Sequence, residues 1–322
     1  MSEPPKKRIR LCEPPEIRNL KELIALANSG RMYKRIDNIV LWNIKDHLIK
    51  LDNMIGMEKL KESIFQQVLY YIQGMHIRNR EGEYLHTRIV GPPGTGKTTV
   101  ANILSDIYAD LGILKKGNIK LAHREDFVAG YVGQTAIKTT KLLKSCIGGV
   151  LFYDEGYSMG SNRDDDSFAK EAVDTLTSFL SEHKSDFCFI IAGYEEDIEK
   201  YFFSLNKGLE RRIPWCHKID TYTPEDLASI CLKMITDMKW CTNVNHTELS
   251  ELIKRNIKYF KNAGGDVENF LTKARIAHSN RVFTLDYELK FILTLVDFSK
   301  SIDMIEKNRP KEEDLRHLNF YS

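Results

Sequence analysis

Eight consecutive residues, Gly91-Pro92-Pro93-Gly94-Thr95-Gly96-Lys97-Thr98, carry the spacing GxxxxGK[ST]. Such a loop holds phosphate. Its glycines let successive backbone N–H groups curl around an anion, and the helix it opens adds the positive end of its dipole. Lys97 is then placed to reach the β- and γ-phosphates of a nucleoside triphosphate, and the Thr98 hydroxyl to hold Mg²⁺. Directly before the loop, Arg88-Ile89-Val90 reads as a strand. After it, Val100, Leu104, Ile107, Tyr108 and Leu111 share one helical face. That strand–loop–helix context separates the motif from a chance Gly-rich turn.

Binding a nucleotide is not hydrolysing it, and a second group of residues bears on the difference. Val150-Leu151-Phe152-Tyr153 is an apolar run that ends in Asp154-Glu155. Carboxylates at the C-terminal end of a buried parallel strand emerge where ligands bind. Asp154 would hold Mg²⁺ through its water shell, and Glu155 would polarise the attacking water. A solvated acidic turn is the bland alternative. Its place on a buried strand downstream of a phosphate loop favours the chemical reading.

The elements that must position these residues alternate. Between Asn53 and Thr221, strands are expected at Arg88–Val90, Ile119–Ala122, Val150–Tyr153, Phe187–Ala192 and Trp215–Ile219, with helical patterns between them. This is the signature of an α/β fold with a parallel five-stranded sheet covered by helices. A helix around Glu171–His183 buries Val173, Leu176, Phe179 and Leu180. From residue 222 to 307 only helical periodicity appears, over Leu227–Trp240, Leu249–Phe260, Val267–His278 and Tyr287–Ile302, opening on Thr223 as N-cap with Asp226 three residues on. The expected organisation is a tail and helical linker (1–52), a nucleotide-binding α/β domain (53–221), a small all-helical domain (222–307) and a polar tail (308–322). Within the first segment, Ile17, Leu20, Ile24 and Ala27 are spaced as a helix, and residues 31–52 read as a linker with some structure.

Hydrophobic residues make up 42% of the 322 and charged residues 29%, which excludes wholesale disorder. The formal charge of +2 marks the whole chain neither as a nucleic-acid binder nor as a membrane binder. The first 50 residues are more basic, with 11 Lys/Arg against 6 Asp/Glu. Pro5-Lys6-Lys7-Arg8-Ile9-Arg10 reads as a solubilising extension or a short nuclear-import signal. The 6 cysteines show no framework spacing, and no apolar run approaches the roughly 20 residues that span a bilayer. A soluble intracellular protein, cytoplasmic or carried to a nucleus by its basic tail, is expected.

Further residues complete a family likeness. Gly91–Thr99, with Thr99 closing the loop, is followed by Arg124-Glu125-Asp126-Phe127, Gly130-Tyr131-Val132-Gly133-Gln134-Thr135 and Gly148–Tyr157. Ile191-Ala192-Gly193-Tyr194, Asn206-Lys207-Gly208-Leu209 with Arg212, and Ala274-Arg275 complete the series. Over about residues 53–283 the chain resembles the AAA+ ATPases of the CbbX/CfxQ (SpoVK-like) family. The resemblance implies a P-loop NTPase sheet domain with a helical lid, ATP and Mg²⁺ as ligands, and a homo-oligomeric ring, usually a hexamer. It also implies ATP held between subunits, with Arg212, beside Arg211, reaching a neighbour's γ-phosphate.

By the same resemblance Ile55-Gly56 contacts adenine and Tyr194 holds the sensor-1 position, where many AAA+ proteins have Asn. Tyr131-Val132-Gly133 matches the aromatic pore loop that grips a polypeptide; the alternative is that Tyr131 packs into the core. Glu268 stands where many relatives carry a phosphate-sensing Arg. A carboxylate cannot neutralise phosphate, so that role is absent or moves to Lys273 or Arg275. The implied function is ATP-driven remodelling of a protein client. The best-known relatives activate red-type Rubisco, but no residue here identifies Rubisco. A nucleic-acid motor and a nucleotide-gated scaffold with little turnover are the alternatives. Tyr131-Val132, with no Lys or Arg in the loop, argues against the first, and intact Asp154, Glu155 and Arg212 against the second.

Overall fold

A computed structural model of the chain describes residues 11–78, 82–160 and 166–308. It divides into two compact units: residues up to 92 with 96–220, and 93–95 with 221 onward. The basic run Pro5–Arg10 and most of the expected C-terminal tail lie outside the described residues.

The first unit is built on five parallel strands, β1 (Thr87–Val90), β2 (Ile119–Ala122), β3 (Val150–Tyr153), β4 (Cys188–Gly193) and β5 (Trp215–Lys218). Their spatial order is β2-β3-β4-β1-β5. β3 and β4 are buried at every position, which is why they read as unbroken apolar runs. Register aligns the functional ends. Val90 lies opposite Gly193 in the β1–β4 ladder, and Tyr153 lies opposite Ile191 in the β3–β4 ladder. The residues that follow β1, β3 and β4 therefore leave the sheet at one edge.

Helices α1 (Leu20–Asn28), α2 (Asn38–Asp52), α3 (Glu58–Ile72), α4 (Lys97–Asp110), α5 (Arg124–Phe127), α6 (Thr135–Ser145), α7 (Ser167–Glu182) and α8 (Glu195–Tyr201) complete this unit. Val100, Leu104, Ile107 and Tyr108 of α4 and Val173, Leu176, Phe179 and Leu180 of α7 are all buried. Burying each large apolar side chain contributes about 1.5–3 kcal/mol. Tyr153, at the end of β3, stacks on Phe189 and meets Phe127 edge-on at 5.2 Å. Packing thus fixes the strand that carries Asp154 and Glu155.

Residues 31–52, expected as a linker with some structure, hold the 15-residue helix α2, capped by Asp37 at the amides of Ile39 and Val40. Leu41, Ile44, Leu48 and Leu51 form its buried stripe. The segment is part of the first unit, not a spacer before it.

The second unit contains α9 (Pro224–Asp237), α10 (His246–Arg255), α11 (Ala263–Val282) and α12 (Leu295–Lys307). Thr223 caps α9 as read from the sequence, in a reciprocal pair with Asp226. The expected helix over Tyr287–Ile302 is interrupted, and the unit is not purely helical. Ile292–Leu293 pairs in parallel with Cys241–Thr242 before α12 begins. The physical cause is a cap. Asp297 accepts from the Thr294 amide and hydroxyl, from Arg281 and from His278, so Thr294 is held in an extended conformation outside the helix. Burial would push the Asp297 carboxyl up, but these donors together bring it down to about 2.

Candidate active site

The phosphate loop starts at the strand edge, where the Gly91 amide donates to the Gly193 carbonyl at 3.1 Å. Lys97 opens α4, and its Nζ donates to the carbonyls of Gly91 (3.1 Å) and Pro92 (2.8 Å). The ammonium is thus folded over the start of its own loop. Burial lowers the Lys97 pKa below its ordinary value, while Asp154 and Glu155 pull it back up. The two carboxylates favour the charged ammonium, and a charged ammonium makes charge-assisted hydrogen bonds to phosphate. Pro93, Gly94 and Thr95 form the tip of the loop, with Gly94 at φ +68°, and Thr95 is buried.

Gly96 adopts φ +83°, a conformation that disfavours any side chain. A Cβ there would also sit 3.4 Å from the Met54 methyl and 3.6 Å from that of Met57. The loop is therefore packed against the turn between α2 and α3, and that turn carries Ile55 and Gly56. Both are half-buried. Thr98 and Thr99 are exposed in the first turn of α4.

Asp154 lies across from this turn. The Thr98 hydroxyl donates to Asp154 Oδ2 at 3.4 Å, and Asp154 Oδ1 accepts from the Glu155 amide at 2.9 Å. Hydroxyl and carboxylate oxygens are the donor set that suits Mg²⁺. Glu155 has φ +53°, an uncommon conformation for a non-glycine residue, and its side chain is exposed. Behind it Gly156 is tightly packed, since a Cβ would fall 2.5 Å from the end of the Ile191 side chain, which would have to shift. Burial raises the Tyr157 pKa first, and the negative charge of Glu155 raises it further. Tyr194 follows β4 at the same edge, 40% exposed.

The expected arginine pair and the expected aromatic loop stand apart. Arg212 donates from Nε to Ser181 Oγ at 2.5 Å and from Nη1 to the Gly208 carbonyl at 2.7 Å. It is thus tied to α7 and not to the phosphate loop, and Arg211 beside it is exposed. Tyr131 and Val132 are 74% and 89% exposed, so Tyr131 does not pack into the core. Gly133 has φ +78°.

The base of that loop is held firmly. Phe127 is fully buried, Thr139 Oγ1 donates to its carbonyl at 3.0 Å, and the Ala129 amide donates to Thr135 Oγ1 at 3.2 Å. Arg124 forms an ion pair with Asp166, the N-cap of α7. Asp166 accepts from the Ala169 amide at 3.0 Å as that cap, and its pairing with Arg124 joins distant segments and has no local signature.

In the second unit Glu268 is exposed on α11 and Lys273 half-buried. Arg275 lies over the Trp240 ring at 5.2 Å and against the Met238 sulfur at 3.7 Å. Among the described residues no cluster of three or more His, Cys, Asp or Glu could hold a metal, and no helix is long and apolar enough to cross a membrane.

Residues 88–213 match the family model described as ATPase family associated with various cellular activities (AAA). The chain is 36% identical to a cfxQ-like protein of Acanthamoeba polyphaga mimivirus, over 90% of this chain and 73% of that protein. It is 33% identical to the chloroplastic ribulose bisphosphate carboxylase/oxygenase activase of Cyanidioschyzon merolae, over 74% of this chain and 84% of that protein. Among solved structures, the AAA domain of FIGL-1 in complex with ADP superposes with a TM-score of 0.56 at 16% identity. The match covers 83% of this chain and 88% of that one.

Proposed function

Because this chain belongs to the CbbX/CfxQ family of AAA+ ATPases, we propose that it acts as a Mg²⁺-dependent homo-oligomeric ring, a hexamer, that remodels a protein client. ATP hydrolysis is its reaction. The observation that carries the proposed roles is the convergence of Lys97, Thr98, Asp154 and Glu155 at one sheet edge.

Lys97 exchanges its two carbonyl partners for β- and γ-phosphate oxygens, joined by the amides of Gly91–Thr99. Thr98 and Asp154 would hold Mg²⁺, which would supply positive charge to offset that of the phosphates. Glu155 orients the attacking water and accepts its proton. Ile55 and Gly56 line the adenine side, and Tyr194 faces the terminal phosphate. Arg212, with Arg211 beside it, serves the site of a neighbouring copy, and the helical unit acts as the lid. Tyr131 and Val132, exposed on a loop with a fixed base, grip an extended client by apolar packing while Gly133 lets the tip move. The C. merolae relative, an activase of a carboxylase, supports a protein client.

Sedimentation of the Glu155→Gln variant tests the ring. With Mg-ATP an assembly of several copies is expected, falling apart when EDTA is added. A monomer at every concentration would remove the ring, and with it the role given to Arg212.

A further inference from the structure

Five lysines with no part in the nucleotide site gather at one corner of the first unit. Lys115 and Lys116 precede β2, Lys120 lies within it, and Lys141 and Lys144 sit one turn apart on α6. All five are exposed. Their elements touch. The Lys116 amide donates to the Gly148 carbonyl at 2.8 Å, and a Cβ on Gly148 would lie 3.6 Å from that of Lys115. Lys120 Nζ donates to Ser145 Oγ at 3.1 Å, next to Lys144. Among the described residues none of the five enters an ion pair. In a chain of net charge +2, this corner concentrates lysines, with Asp106 beside Gly117 and Asp186 beside Gly148 as the nearby carboxylates.

The same corner carries an open strand. β2 is one of the two outer strands of the sheet, and Leu121 on it is 50% exposed. An edge strand offers main-chain donors and acceptors to any extended backbone that lies alongside. Lysines, an apolar side chain and a strand edge together specify a guest that is extended, acidic and peptidic.

We propose that this corner docks an acidic, extended segment of a partner protein, which adds to β2 as a further strand and directs its carboxylates at the five lysines. A nucleic acid fits less well. The residues named here include no aromatic ring on which a base could stack and no arginine fork for a phosphate. The assignment goes beyond the ATPase reading and uses none of its residues.

Fluorescence anisotropy on the full chain tests it, with a labelled peptide of alternating Glu and Val as probe. Controls are the matching Lys–Val peptide, a Glu–Val peptide N-methylated at alternate residues, and an oligothymidylate. Saturable Glu–Val binding is expected, at least tenfold tighter than Lys–Val and weakening as salt rises. The variant Lys120→Gln/Lys144→Gln should lose at least tenfold in affinity while its ATP turnover stays at the parent value, which also certifies its fold. N-methylation should cost a similar factor, since it removes donors that a strand pair needs. Equal binding of the two charge types, or full affinity in the double variant, would overturn the proposal. An N-methylated peptide that binds undiminished would remove the strand pairing, and a preference for the oligonucleotide would assign the corner to nucleic acid.

Discussion

Two sets of functional residues are held in opposite ways. At the end of β1 and β3, Lys97, Thr98, Asp154 and Glu155 bind one another or their own loop, fixed by strands buried at nearly every position. Arg212 and Tyr131 touch none of these. One is tied to α7, and the other stands in solvent on a loop whose base alone is fixed. A single chain therefore brings together the residues proposed to bind ATP, whereas those proposed to speed hydrolysis and to use it point elsewhere. That division is what a machine assembled from copies requires, because groups serving a neighbour or a client must stay accessible on the isolated chain.

The largest effect should come from breaking the binding half. Lys97→Ala removes a charged donor to two phosphates, and each charge-assisted hydrogen bond contributes about 1.5–3 kcal/mol. ATP affinity, read by calorimetry, should fall about 100-fold or more, and unchanged affinity would end the phosphate-loop assignment. A change at Tyr131 should behave in the opposite sense. Tyr131→Ala leaves basal ATP turnover within about twofold, because an exposed side chain off the site contributes nothing to it, yet abolishes any stimulation by an unfolded test protein. If the variant loses its fold, Tyr131 has a structural role and the comparison fails.

A smaller change sharpens the same contrast. Asp166→Asn weakens the ion pair with Arg124 that braces the base of the aromatic loop. Stimulation by the test protein should drop by a factor of about 3–10, equivalent to roughly 1 kcal/mol, with ATP affinity unmoved. A parallel fall in ATP affinity would show that the brace serves the nucleotide edge after all.

Much of this was legible in the chain. The phosphate loop, the Asp154-Glu155 strand end and all five strands are local patterns in which spacing alone implies geometry. The break before α12 could have been read as well, because Thr294 and Asp297 repeat the spacing of Thr223 and Asp226; the further hold on Asp297 by Arg281 and His278, on a different helix, could not. The helix over residues 38–52 could have been found. Its Leu41, Ile44, Leu48 and Leu51 stripe is regular, but exposed Ile39 and Trp42 blur the polar face. At the site, the sequence marks Arg212 without revealing its anchor on Ser181, and it is silent on the Arg124–Asp166 pair. Contacts between distant segments follow from the fold, and no periodicity encodes them.

The central claim, that hydrolysis needs Glu155 of one copy and Arg212 of the next, is open to a direct mixing experiment. Glu155→Gln and Arg212→Ala chains are each expected to turn over ATP at least 100-fold more slowly than the parent, the scale of an arginine finger. Mixed in equal amounts, they should recover about one quarter of the parental rate, the fraction of junctions in a randomly assembled ring that pair an intact Glu155 with an intact Arg212. A mixture no more active than the average of its two components would contradict the account.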